Sequence, residues 1–480
     1  HTRSYSVTGV QTCLFRSKHS YIFQDLEWIV EIPDSVLEFY SGTFDNDYYK
    51  LTDLYGPVPN ALDGDPRVFI LVINPEWWSG YFDPIQQMPD TMTMRLWGVH
   101  SSEREILYIS ARSFNKGSVS IIAHEFGHML QWGNDHDQQA TGNTIKYWED
   151  IWIDEGFSTF AAMYLTEGVS SNDVYNSKPF FRSNTDLSLI HFESADNYSS
   201  SLLFMLYMYE HFGGDNYIRT LISNKLNGIA GIESTMEILG YSNKFDEIFR
   251  NWTIANYIDN KNAGNGEFYY KHYNFFPCKH RQVFKKSQIS YSDSLKAYSS
   301  HYFRFGAVTD SLLRVSVFSN NGSLFKVAVI LTDTNGIIPP SVKYLNAGDE
   351  ITSFVVIDKK AEPYDELAVA VMNTDRELSI GKYSDYTLNI EKYEYPSHVV
   401  SQTESELLVD MSDGIMTIDL RNIPSGWIIG DVFDINGNNI ASFKANSPNN
   451  RIDMNGFSPG LYILRIKSGN TVLFRKINNF

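Results

Sequence analysis

His124-Glu125-Phe126-Gly127-His128 places two imidazoles four residues apart, with a carboxylate beside the first. The run Val119 to Ala123 before it is mostly apolar, Met129, Leu130 and Trp132 follow, and no proline interrupts. That pattern predicts a helix. On a helix, positions four apart share a face, so both rings point the same way. Two neutral imidazole nitrogens suit Zn²⁺. Glu125 sits one step round, placed to take a proton from a water at the metal rather than to ligate. The bland alternative is a buried amphipathic helix whose histidines hydrogen-bond to backbone.

A catalytic zinc needs a third protein ligand and an open fourth position. The metzincin scheme puts a glycine three residues and a histidine six residues beyond the second His; those positions here are Gln131 and Asn134. A second scheme takes a glutamate from another helix. Trp152-Ile153-Asp154-Glu155-Gly156-Phe157-Ser158-Thr159-Phe160 opens an apolar stretch that runs to Leu165, and it makes Glu155 an inward carboxylate on an apolar face. A metal partner removes the cost of burying that charge alone. Gly156 weakens a helix, which implies a need for close approach. His124, His128 and Glu155 are therefore the expected ligands. Glu149, Asp150, Asp154 and His136 are the substitutes for Glu155, whose plain alternative is a surface acid at a helix N-terminus.

HEFGH followed by WIDEGFSTF resembles the gluzincin metallopeptidases, whose third ligand lies in a W-x-x-E-G-like motif. Within that clan the chain is most similar to hyicolysin-type secreted bacterial peptidases. Asp63-Gly64-Asp65-Pro66-Arg67, Gly80-Tyr81-Phe82-Asp83-Pro84, Glu103 to Tyr108 and Asn197-Tyr198-Ser199 fit the same resemblance, which covers residues 17–262. The polar insert from Gly133 to Tyr147 is longer than the gap of many gluzincins and reads as a surface loop, which costs little extra entropy. The resemblance implies a zinc endopeptidase in which Glu125 moves the proton from water to the leaving amine. It also implies a donor to the tetrahedral oxyanion downstream of the third ligand. Tyr198 is carried over to that role, with His191 in reserve. A ligating histidine usually gives its other nitrogen to a carboxylate or carbonyl, and Asp154 and Asp150 both stand near enough in sequence. Asp63, Asp65 and Asp83 are either a Ca²⁺ site or turn residues around Gly and Pro.

Two other functions compete. A zinc aminopeptidase of the same clan needs a site for the free amine, usually a G-x-M-E-N-like strand, and no such string occurs. An inactive surface adhesin or glycan-binding protein would have little reason to keep His124, Glu125, His128 and Glu155 together.

The elements that must position these residues differ in period along the chain. Residues 18–280 read as the α+β metallopeptidase domain. Up to Trp97 extended runs such as Tyr21–Phe23 and Val68–Ile73 mix with loops, and a strand Glu105–Ser110 precedes the zinc helix. Apolar residues then recur at three and four, which predicts helices over 147–165, 199–212, 216–226, 231–239 and 243–256. The cleft is expected between the two halves. Residues 285–395 change to period two, with strand runs such as Leu312 to Phe318, Phe325 to Leu331 and Glu366 to Met372. They predict a β-sandwich accessory domain without a catalytic constellation, either a spacer or a binding module. Residues 400–480 are again β, with hairpin signals at Asn436-Gly437, Pro459-Gly460 and Ser468-Gly469. Their order resembles the C-terminal sorting domain of type IX secretion in Bacteroidota, which implies the export machinery as a partner and a secreted or surface location reached through the outer membrane. The alternative is a small Ig-like module. The expected fold class is thus multidomain: a gluzincin-type α+β domain followed by two all-β sandwiches.

Ser4 to Ser17 reads SYSVTGVQTCLFRS, which resembles the conceptual translation of a common sequencing adapter. Residues 1–17 are accordingly set aside from the expected fold, and any native signal peptide or propeptide lies outside the sequence. Cys278 is then the lone native cysteine, and a Cys13–Cys278 bridge is not expected. A length of 480 residues gives room for about two to four domains. With 43% hydrophobic and 15% aromatic residues the chain is not disordered throughout. A formal net charge of −18 makes nucleic acid an unsuitable partner, and a protein or peptide substrate is what the metallopeptidase resemblance implies. No apolar run is long enough for a spanning helix.

Overall fold

The computed structural model describes residues 12–25, 32–59, 62–74, 78–115, 119–135, 149–165, 181–271, 278–285, 289–305, 312–319, 325–347, 354–358, 364–392, 408–412, 415–420, 428–434, 438–445, 449–455, 457–458, 460–468 and 471–479. His136 lies outside these residues, as does nearly all of the insert 133–147.

Five strands form the first sheet: β1 (Thr12–Arg16), β2 (Ser20–Gln24), β3 (Val68–Ile73), β4 (Gly80–Phe82) and β5 (Ile106–Ser110), in the order β1-β2-β3-β5-β4. β3 reads VFILVI and pairs in parallel with β2 and β5, the continuous apolar pattern of a strand covered on both faces. β1 and β4 are the antiparallel edges. Residues 12–16, set aside on sequence grounds, thus complete this sheet. The pairing is backbone to backbone, and the adjoining Ser17 hydroxyl bonds Asp45 at 2.9 Å.

The region up to Trp97 is not only extended runs and loops. Helix α1 (Asp34–Tyr55) spans 22 residues and buries Leu37, Tyr40, Phe44, Leu51, Leu54 and Tyr55 at helical spacing. A short α2 (Asp90–Trp97) and α3 (Ala111–Asn115) flank β5. The zinc-helix candidate is α4 (Val119–Asn134), and it packs with α1 on one face of the sheet. Beyond it come α5 (Ile151–Leu165), α6 (Asn197–His211), α7 (Asp215–Ile222), α8 (Gly228–Ile238) and α9 (Phe245–Ile258). Gly127 lets α4 close on α5 and Gly156 lets α5 close on α6: an added Cβ would meet Ser158 Cα at 3.0 Å and Ser201 O at 3.2 Å, respectively.

The middle β region has two sheets. One holds β6 (Gln282–Phe284), β8 (Ser299–Phe305), β10 (Phe325–Thr332), β11 (Ser341–Ala347) and β13 (Glu366–Asn373); the other holds β7 (Ile289–Leu295), β9 (Leu312–Phe318), β12 (Phe354–Asp358) and β14 (Ser384–Lys392). Phe303, Val327, Val329, Val369 and Val371 face the second sheet and fill the sandwich core. Alternate residues Tyr302, Ala328, Ile330, Ala368, Ala370 and Met372 join the core of the helical half instead. Small alanines on that face bring the sheet close to α9, so residues 1–393 form one compact unit.

Residues 394–480 form a second unit with its own core around Met416, Ile418, Val432, Leu464 and Ile466. Its strands are β15 (Leu408–Ser412), β16 (Ile415–Asp419), β17 (Ile428–Asp434), β18 (Asn439–Ala445), β19 (Asn449–Asp453), β20 (Gly460–Ser468) and β21 (Thr471–Asn479), in a three-stranded and a four-stranded sheet. Among the described residues no helix is long and apolar enough to cross a membrane. Cys13 and Cys278 are both free thiols.

Candidate metal centre

α4 and α5 cross so that His124, His128 and Glu155 meet. The Nε2 atoms of the two histidines lie 3.2 Å apart. Glu155 Oε2 is 3.3 Å from each. Among the described residues this is the one cluster whose ligand atoms approach closely enough to hold a metal ion.

The outward nitrogens explain the rings' orientation. His128 Nδ1 is 2.7 Å from Asp154 Oδ1, and His124 Nδ1 is 3.4 Å from the Thr159 hydroxyl. With the ring protons on those sides, both Nε2 lone pairs face Glu155 Oε2, itself buried without a hydrogen-bond donor. Three acceptors converging on one point repel each other unless a cation stands between them. Donors about 2.0–2.1 Å from a tetrahedral ion are about 3.3–3.4 Å apart, so the observed spacing fits zinc with one vertex open.

The charges agree. Burial alone would lower the His128 pKa, but Asp154 and Glu155 outweigh it and raise it well above the ordinary value. Burial would raise Glu155, yet the two histidines hold it far below the usual carboxylate range.

Glu125 is buried on the same helix, 6% exposed. Burial raises its carboxyl above the usual range, and the charges of Glu155 and Asp154 add to that, against the two histidines. Its carboxylate lies against β4: a Cβ on Gly80 would come 2.4 Å from Glu125 Oε1. Gly80 is therefore required as glycine for Glu125 to sit there. Nothing in the sequence alone tied these two residues together.

Tyr198, on the first turn of α6, donates from its hydroxyl to Glu155 Oε1 at 3.0 Å. Its ring packs edge-on against Phe192. His191 lies on the preceding loop, with its pKa lowered by burial. Of the two carboxylates considered for a histidine, Asp154 takes the position. Asp150 instead accepts from the Trp152 indole at 3.4 Å and sits over Gly228. Glu149 accepts the Gly228 and Asp150 backbone N–H groups at 2.8 and 2.7 Å, which occupies it away from the histidines.

The structure does not gather Asp63, Asp65 and Asp83 into one site. Asp65 pairs with Arg67 and accepts from the Tyr21 hydroxyl. Asp63 accepts the Asp65 backbone N–H, and Asp83 caps a short 3₁₀ helix through Ile85 N. These are the turn roles that Gly and Pro neighbours favour.

Residues 412–478 match the family described as the secretion system C-terminal sorting domain, the tail of type IX secretion. The chain is thereby directed to the cell surface or secreted. Similar solved structures include the beta-glucuronidase of Faecalibacterium prausnitzii, at 13% identity over 39% of this chain and 36% of that one, with a TM-score of 0.14. The glycoside hydrolase domain of Endo-D from Streptococcus pneumoniae matches at 10% identity over 40% of this chain and 33% of that one, with a TM-score of 0.15. The chain covers about a third of each, and at such scores the likeness carries no argument about fold or activity.

Proposed function

We propose that this chain is an exported zinc-dependent endopeptidase. The observation that carries the reading is the convergence of His124 Nε2, His128 Nε2 and Glu155 Oε2 at 3.2–3.3 Å, with buried Glu125 one residue along the same helix. His124, His128 and Glu155 would hold the ion. Zinc, when bound, supplies a Lewis acid for a scissile carbonyl and lowers the pKa of a neighbouring water. Glu125 takes the proton of the attacking water and returns it to the leaving amine. A carboxyl raised by burial suits both halves of that task. Asp154 and Thr159 fix the ring orientations. Tyr198 serves as the oxyanion donor. A phenol donates one proton at a time, so this service requires it to leave Glu155 Oε1.

An open sheet edge supports an extended substrate. β4 pairs with β5 on one side and with none of the described strands on the other, and its Gly80 lies against Glu125. A peptide can add to such an edge through its backbone at any point along its length, which favours internal cleavage over trimming from an end.

The test is the full chain with stoichiometric zinc against a mixed peptide library, wild type beside Glu125→Ala. Internal cuts that fall by about 10²–10⁴-fold in the variant, with zinc retained, are expected. Trimming only from amino ends would point to an aminopeptidase. A metal-free, inert wild type would point to a binding protein.

A further inference from the structure

We propose that the β-sandwich is a working wall of the metal centre, joined to it by Glu193, and that Lys296 and Gly381 of the sandwich are positioning residues for Tyr198. The inference rests on the metal-centre reading given above. It concerns how the sandwich acts on that site.

The loop before α6 is held from two sides. Asn197, buried at the start of α6, donates through Nδ2 to Ser188 O at 2.8 Å and to His191 O at 3.2 Å, while its Oδ1 accepts Glu193 N at 3.1 Å. The sandwich supplies the other side. Leu189 N donates to Tyr298 O at 2.9 Å, and Ser300 N donates to Thr185 O at 3.0 Å. Glu193 then reaches into the sandwich. Its Oε1 accepts Gly381 N at 2.9 Å, and its Oε2 pairs with Lys296, on the turn between β7 and β8. Both side chains are largely covered, 20% and 18% exposed, and the ring of Tyr383 lies beside the lysine ammonium.

Glu193 is exposed as a residue, but its carboxylate is held at both oxygens, by the Gly381 backbone N–H and by the Lys296 ammonium. Glu193 is therefore a fixed point. The residue before it, Phe192, stacks edge-on against Tyr198 with ring centroids 5.0 Å apart, and the Tyr198 hydroxyl holds Glu155 Oε1. The chain of contacts runs from Lys296 and Gly381 through Glu193, Phe192 and Tyr198 to a metal ligand. A detached spacer or glycan-binding module would need none of these links.

The experiment uses the full-length chain with Lys296→Met, Lys296→Arg and Glu193→Gln. Amide hydrogen exchange over residues 188–198 reads the clamp with or without metal. Exchange there should quicken in Lys296→Met and Glu193→Gln, return toward wild type in Lys296→Arg, and stay unchanged across α4. Zinc affinity by chelator competition reads the consequence: a loss of up to about fivefold in Lys296→Met, the most that the Tyr198 hydrogen bond it positions can contribute. Adding Tyr198→Phe to Lys296→Met should cost little more than either change alone, because both act on the same contact. Wild-type exchange in Lys296→Met overturns the clamp whatever the metal does. Altered exchange with wild-type zinc affinity, or fully additive losses, overturns its link to Tyr198. A wild-type chain that binds no zinc refutes the metal-centre reading instead, and the exchange data still decide the clamp.

Discussion

Two regions that each bring histidine, carboxylate and tyrosine together differ in kind, and of the pair only the one in the helical half has the arrangement of a ligand site. In the helical half, two imidazole nitrogens and a carboxylate oxygen face one another with no donor among them. In the sandwich, His301 lies with Nδ1 2.8 Å from the Tyr386 hydroxyl and 3.7 Å from Asp293 Oδ2. Asp293 is supplied with donors: Arg281 Nε at 2.9 Å, the Tyr291 hydroxyl at 3.2 Å and Ser294 N at 2.9 Å. The residue types match and the proton inventory does not. Acceptors meeting acceptors call for a cation, while the carboxylate of Asp293 is satisfied by donors and the remaining His301 nitrogen, Nε2, is buried without a partner and faces no second ligand atom among the described residues.

That contrast can be broken in order of expected effect. The largest is on stability. Burial pushes the His301 pKa down to about 4, partly opposed by Asp293, with Arg281 pushing the same way as burial and Asp186 the other. The unfolded imidazole titrates near 6.5, so between these values the unfolded chain binds a proton that the folded chain refuses. Stability is full above that upper value and is lost as pH falls toward 4, by about 3 kcal/mol in the limit. Denaturant melts at pH 7 and pH 4 should therefore differ more for wild type than for His301→Gln. Equal pH dependence would remove His301 from the account of the sandwich core.

Next comes the carboxylate behind each histidine. Asp154→Asn should weaken zinc binding by about 10–100-fold, since it frees the His128 ring that Asp154 orients. Asp293→Asn should leave zinc affinity alone and lower the melting temperature. Comparable zinc losses in both would show that the two clusters are not different in kind. The smallest effect is Tyr198→Phe. Loss of one hydrogen bond, worth about 1 kcal/mol, should weaken zinc binding about fivefold. If Tyr198 also serves the oxyanion, its turnover falls further than its metal affinity; equal falls would confine it to holding Glu155.

Much of the candidate site was legible because one helix fixes the geometry of His124, Glu125 and His128 by spacing alone. Glu155 was legible from the oddity of an acid on an apolar face. The choice of Asp154 over Asp150 was not, because it depends on how α5 rotates against α4. The roles of Thr159 and Gly80 were missed for the same reason: each acts across elements far apart in sequence. α1 escaped although Leu37, Tyr40, Phe44, Leu51 and Leu54 keep helical spacing, since Asp, Asn, Thr and Tyr between them dilute the pattern. In the sandwich, Ala328, Ala368 and Ala370 alternating with valines were the trace of a second buried face. Period two announced the strands without announcing what lay behind them.

The most direct measurement is zinc stoichiometry on the purified full-length chain, wild type beside His128→Ala and Glu155→Ala, with His301→Ala as the comparison. One zinc per wild-type and per His301→Ala chain, with binding lost in the other two, is the expected result. A wild type without zinc, or a stoichiometry that survives removal of both His128 and Glu155, would contradict it.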